Sequence, residues 1–149
     1  MQQYIDAYNI YVVSDFCCGG NLYYLQKTMG HFNDIHLRFI AVQLIAAIHY
    51  LHDKGCLFCG LLAENVLLDQ QGFVQLTGFS RMETDIAYPY YKMVGYMEFM
   101  PPEMLLNKGI TQAYDWYMLG CLLYGRLRSS PHLKSSLRAR SRSRERPRR

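Results

Sequence analysis

Residues 33–55 constrain the fold more than any other stretch. Asn33, ahead of Asp34-Ile35, supplies a helix N-cap. Leu37, Ile40, Leu44, Ile48 and Leu51 then recur at spacings of three and four, until Lys54-Gly55 closes the pattern. The spacing predicts a long amphipathic helix over residues 34–53, with one apolar stripe that must be covered. Two short apolar runs follow, Val66-Leu67-Leu68 and Phe73-Val74-Gln75-Leu76. Between them, Asp69-Gln70-Gln71-Gly72 has the polar and glycine content of a tight turn, so the pair reads as two small strands.

Upstream, the β-branched and aromatic run Tyr11-Val12-Val13-Ser14-Asp15-Phe16 predicts a strand that stops at Cys17-Cys18-Gly19-Gly20, where glycine permits backbone angles a strand cannot hold. Downstream, residues 83–100 are irregular and rich in Tyr and Met, and Pro101-Pro102 starts a short helix. The segment from Asp115 to Tyr124 is apolar on every side and is therefore expected to be buried. No internal repeats are seen.

At Arg126 the composition changes. Residues 1–125 carry 6 Lys/Arg against 11 Asp/Glu, whereas residues 126–149 carry 10 against 1. From Arg138 onward Arg alternates with Ser, a composition that cannot bury enough apolar surface to fold. The expected organisation is one domain over 1–125 and a disordered Arg/Ser-rich tail over 126–149.

No apolar run approaches the roughly 20 residues of a bilayer span, and Met1-Gln2-Gln3-Tyr4 lacks the basic and apolar stretches of a signal peptide. The expectation is a protein without a membrane span, cytoplasmic, with the nucleus as the alternative given its basic tail. Five cysteines are an odd count, and Cys17, Cys18, Cys56, Cys59 and Cys121 do not space as a disulfide framework, so reduced thiols are expected. Cys56-Leu57-Phe58-Cys59 has the spacing of half a zinc ribbon. A second pair is missing and the segment is apolar, so small buried side chains are the better reading.

Taken in order, these elements resemble the eukaryotic protein kinase domain, serine/threonine type, over about residues 8–125. The strand, hinge and Gly-Gly turn of that family correspond to Tyr11 through Leu22, with Asn21 where the family has its ribose-contacting acid. Tyr50-Leu51-His52-Asp53-Lys54-Gly55 resembles the helix end before the catalytic loop. Pro101-Pro102-Glu103 stands for the family's Ala-Pro-Glu, and Asp115-Trp116 with Gly120 for its Asp-Trp-Trp-Ser-Leu-Gly run, common in the branch of the cyclic-nucleotide-dependent enzymes. Gln75 through Arg81 is similar to the ribosomal protein S-six kinase-like group. The fold this resemblance implies is α+β, mainly α: a kinase-like large lobe with small β-hairpins, its small lobe and last helices missing, which would leave the apolar segment Trp116 to Tyr124 partly uncovered.

The same resemblance implies lost chemistry. Kinases stabilise the transferring phosphoryl group by positioning and charge, with magnesium, a lysine on the phosphates and an Asp that takes the substrate proton. The family's catalytic loop reads here Phe58-Cys59-Gly60-Leu61-Leu62-Ala63-Glu64-Asn65. Gly60 replaces the proton acceptor, a loss that typically costs about 10²- to 10⁴-fold. Leu62 replaces the loop lysine, and Gly78-Phe79-Ser80 replaces Asp-Phe-Gly, so Gly78 removes the magnesium carboxylate. Asn65 remains, a neutral amide that makes a poor site for magnesium by itself, so for Asn65 and Glu64 hydrogen bonding that shapes the loop is the better reading than a residual nucleotide or magnesium site. Lys92 falls where related kinases carry an activating threonine, Tyr96 where they carry a substrate-orienting one, and Cys59 replaces the arginine that would grip the phosphate.

What survives is scaffold. Phe58 and Phe79 suit the hydrophobic stack beneath the loop, Asp115 is placed to anchor that stack through loop backbone, and Leu67 sits where the family packs beneath adenine. Ser14, Asp15, Cys17, Asn21 and Leu67 make up the vestige of a nucleotide pocket. The functional expectation is a pseudokinase-type signalling module with no catalytic residue intact, binding a protein partner, with ATP and magnesium only as weak ligands. Two alternatives stand beside it: a fragment of an ATP-dependent protein kinase, and an RNA-binding or nuclear protein acting through residues 126–149.

Overall fold

The computed structural model describes residues 2–30, 32–84, 87–94 and 99–127. Its central element is the helix anticipated above, Asp34–Asp53. Asn33 Oδ1 accepts the His36 backbone N–H at 2.8 Å, satisfying one of the orphan donors of the first turn. At the far end Gly55 takes φ +71°, and the Gly55 and Cys56 N–H groups donate to His52 O and Leu51 O. Ile40, Leu44, Ile48 and His52, four residues apart, form its buried face. Against them pack Leu22, Leu57, Phe58, Val66, Tyr114 and Met118, and this is the core.

Numbered along the chain, the strands are β1 (Gln2–Ile5), β2 (Ile10–Val13), β3 (Val66–Leu68) and β4 (Val74–Leu76). The helices are α1 (Leu22–Met29), α2 (Asp34–Asp53), α3 (Pro102–Leu105) and α4 (Ala113–Cys121). β3 and β4 pair antiparallel with Val66 opposite Leu76 and Leu68 opposite Val74. Asp69 shapes their turn by accepting from the Gln71 and Phe73 amides at 2.9 and 2.8 Å. Gln43 Oε1 of α2 accepts the Val74 N–H at 2.9 Å and moors the hairpin to the helix.

Three expectations change. The upstream strand is Ile10–Val13, shorter than the apolar run: it pairs with β1, Val13 opposite Gln2, and Ser14, Asp15 and Phe16 lie outside the strand. α1 was not anticipated: Asn21 caps it by accepting the Tyr24 N–H at 2.8 Å, and Leu22 is fully buried behind the Gly-Gly turn. The segment from Asp115 to Tyr124 is not buried all round. Tyr114, Asp115, Met118, Leu119 and Leu122 face the core, while Trp116, Tyr117 and Tyr124 are exposed.

The compositional boundary at Arg126 falls inside a wider helical turn, Leu122–Leu127, that continues α4; the rest of the expected tail, 128–149, lies outside the described residues. α2 is also long and apolar enough, by length and composition, to cross a membrane, although Arg38 and Gln43 interrupt its apolar run. Its buried stripe serves the core, so this does not show a span.

Candidate functional site

The stretch after α2 cannot be helical or paired over its length, so its backbone groups must find partners elsewhere. Leu57 exchanges two backbone hydrogen bonds with Glu83, both 2.9 Å. Phe58 and Cys59 have no strand beside them, and their N–H groups donate to the carboxylate of Asp115 on α4, at 2.8 Å to Oδ2 and 2.9 Å to Oδ1. His52 Nε2 lies 2.8 Å from the same Oδ2. Asp115 has no exposed surface, and among the described residues these three groups are its hydrogen-bond partners. Phe58 meets Phe79 edge to face, ring centroids 5.3 Å apart. The anchoring role expected of Asp115 and the Phe58–Phe79 contact are thus both present.

Beyond Cys59, which is fully buried and holds φ +55°, the loop tightens. Leu62 N–H donates to Gly60 O at 2.9 Å, and Ala63–Asn65 form one 3₁₀ turn into β3. The Asn65 side-chain amide donates back to Gly60 O at 2.7 Å, and its backbone carbonyl accepts from Thr77. Gly78 follows β4 with φ +81°, in the left-handed region that glycine tolerates. A Cβ added there would run into the Asn65 carboxamide, and one added at Gly60 would lie 3.0 Å from Gly78 O. Gly60, Asn65 and Gly78 therefore come together at one point, with Asn65 occupying the room a side chain at 78 would need.

The other named positions are spread more widely. Gly19 N–H donates to Leu68 O and Leu68 N–H to Gly20 O, at 3.0 and 2.9 Å, which brings Asn21 opposite Leu67 in an antiparallel bridge. Asn21 spends its side-chain oxygen on the α1 cap. Cys17 is half-buried beside this turn, whereas Ser14 and Asp15 are exposed. Leu62 is half-buried, and Glu64 is exposed. Tyr96 lies outside the described residues.

The Cys59 thiol is pushed far above its ordinary pKa, first by burial and then by the charges of Asp115 and Glu83, with Lys92 opposing. Burial of this kind disfavours the thiolate form. No group of three or more His, Cys, Asp or Glu side chains placed to hold a metal occurs among the described residues.

Sequence reasoning missed two parts of this arrangement. His52 is the third partner of Asp115, and its signal was its place four residues after Ile48 on the buried stripe. The loop-shaping hydrogen bond favoured for Asn65 is present, but its partner, Gly60, left no sequence signal, because it depends on how the 3₁₀ turn folds back.

Against known families, residues 1–146 match the model of the protein kinase domain. A relative in Saccharomyces cerevisiae, serine/threonine-protein kinase YPK3, is 34% identical over 85% of this chain and 26% of its own length. Serine/threonine-protein kinase AtPK1/AtPK6 of Arabidopsis thaliana is 35% identical over 83% of the chain and 27% of its own. The cAMP-dependent protein kinase catalytic subunit PRKX of Mus musculus is 33% identical over 82% and 34%. The chain thus spans about a quarter to a third of the length of these three relatives.

Proposed function

Since this chain belongs to the protein kinase domain family, we propose that it is a pseudokinase-type module of the serine/threonine class, acting by binding a protein partner and not by transferring phosphate. The observation that carries the reading is the meeting of Gly60, Asn65 and Gly78. Phosphoryl transfer in this family needs a carboxylate on magnesium and a base near the substrate hydroxyl. At position 78 the side chain is absent and the room it would need is filled by Asn65. At position 60 there is no group to orient a hydroxyl or take its proton. Asn65 has turned its amide onto the loop's own backbone, which favours a loop-shaping role for it over magnesium binding.

A second reading has one observation in its favour. Because the chain spans only 26% to 34% of the relatives named above, it is also consistent with a segment of a longer ATP-dependent protein kinase whose other parts complete a nucleotide pocket around Asn21 and Leu67.

Both readings meet in one experiment: the melting temperature of the purified chain against ATP concentration, with and without magnesium. Ligand at 100 times its dissociation constant stabilises a fold by about 2.7 kcal/mol, so even modest affinity shifts the transition. We expect no shift. A magnesium-dependent shift would overturn the proposal in favour of a nucleotide site at Asn65, and a shift appearing only in a longer product of the same gene would favour the second reading.

A further inference from the structure

Glu83 joins two parts of the chain that no helix or sheet connects. Its backbone pairs with Leu57, next to the amides that Asp115 holds. Its side chain reaches the other way: Oε1 accepts from Lys92 Nζ at 2.6 Å and Oε2 from the Tyr90 hydroxyl at 2.7 Å. Tyr90 in turn exchanges backbone hydrogen bonds with Ile110, at 2.9 and 2.8 Å, on the approach to α4. One carboxylate thus links the base of the loop, residues 90–92 and the segment before α4. The Glu83 side chain is 20% exposed and that of Lys92 62%, so Lys92 caps the carboxylate from the solvent side while Tyr90 holds its covered oxygen. The titration of the three groups agrees: Lys92 first and Tyr90 second hold Glu83 below the usual carboxylate range, and the same contacts raise Lys92 and Tyr90.

We propose that Glu83, Tyr90 and Lys92 form a built-in electrostatic clasp that holds residues 87–92 against the loop base at Leu57–Cys59 without covalent modification. The clasp stands on three side chains and two backbone bridges. Only its meaning as a substitute for a phosphorylated threonine at position 92 rests on the kinase-type reading. On that reading the segment is fixed permanently in one arrangement, a property suited to a binding surface and not to a switch.

The test is hydrogen exchange, followed by mass spectrometry, on the full chain without nucleotide. Glu83→Lys and Lys92→Glu each place like charges together, and the double variant restores an opposite pair with reversed sign. Each single reversal should speed exchange in peptides covering 87–94 and 108–112 by about tenfold, leaving α2 peptides unchanged, and the double variant should return most of that loss. Unchanged exchange in the single variants would overturn the proposal, as would a double variant no slower than the faster single. Should a reversal also loosen α2, Lys92→Met decides with less disruption: faster exchange confined to 87–94 supports the clasp, and wild-type exchange there refutes it. None of these readouts involves ATP, so the clasp and the loss of nucleotide chemistry can fail independently.

Discussion

Asp115 accepts the two amides that the loop leaves unpaired, Phe58 N–H and Cys59 N–H, and neighbours His52 in a site with no exposed surface. Asp115→Ala would strand all three groups in the interior, and we expect a loss of about 3–5 kcal/mol, read as a lower urea midpoint. Asp115→Asn keeps one oxygen acceptor and should lose less. Gly78→Asp tests a different constraint, because φ +81° and the Asn65 carboxamide both oppose a side chain there. It should destabilise the chain by about 1–3 kcal/mol and still give no magnesium-dependent melting shift. Asp115 was legible because it sits in a short run of recognisable residues. His52 was less so, since a histidine in a final helical turn ordinarily faces water, and what buries it lies 63 residues away. That Asn65 shapes the loop by hydrogen bonding was legible, but its meeting with Gly60 and Gly78 was not, being a matter of backbone path.

α2 offers a test at the scale of an element, because its two faces carry similar residues in opposite surroundings. Leu44 is fully buried and Ile35 is 75% exposed. Leu44→Ala should cost about 2–5 kcal/mol in chemical denaturation, and Ile35→Ala no more than about 0.5. The helix was readable from residues 33–55 because cap, period and stop are all local. The β3–β4 hairpin was readable for the same reason, with Asp69 and Gly72 at its turn. β2 is shorter than its apolar run, because composition marks strand-forming residues and not which of them are paired, and the described pairing covers Ile10 to Val13. α1 was missed because its cap, Asn21, follows directly on two glycines that read as turn. α4 was expected to be buried on all sides from composition, which cannot say how many neighbours a helix has.

For the molecule as a whole, apolar surface left in solvent sets the behaviour. Neither strand of the β1–β2 hairpin has a buried residue, and Phe39, Val42 and Ile45 of α2 are exposed, as are Trp116 and Tyr117 of α4. Surface of this kind promotes association. The purified chain is therefore expected to sediment with a mass that rises with concentration and to melt at a temperature that depends on dilution. A monomer with a sharp, concentration-independent transition would contradict this. Family membership was legible from motifs in order along the chain, and the same resemblance implied that Trp116 to Tyr124 would be partly uncovered, as it is; no local pattern showed that Phe39, Val42 and Ile45 of α2 would be exposed as well. The distance between Phe58 and its anchor also has a temporal meaning. The 57 residues separating Phe58 from Asp115 take roughly 3–11 s to synthesise at about 5–20 residues per second. For that interval the nascent loop follows α2 with water and not Asp115 to accept from its amides, so its geometry is set only after α4 has been made.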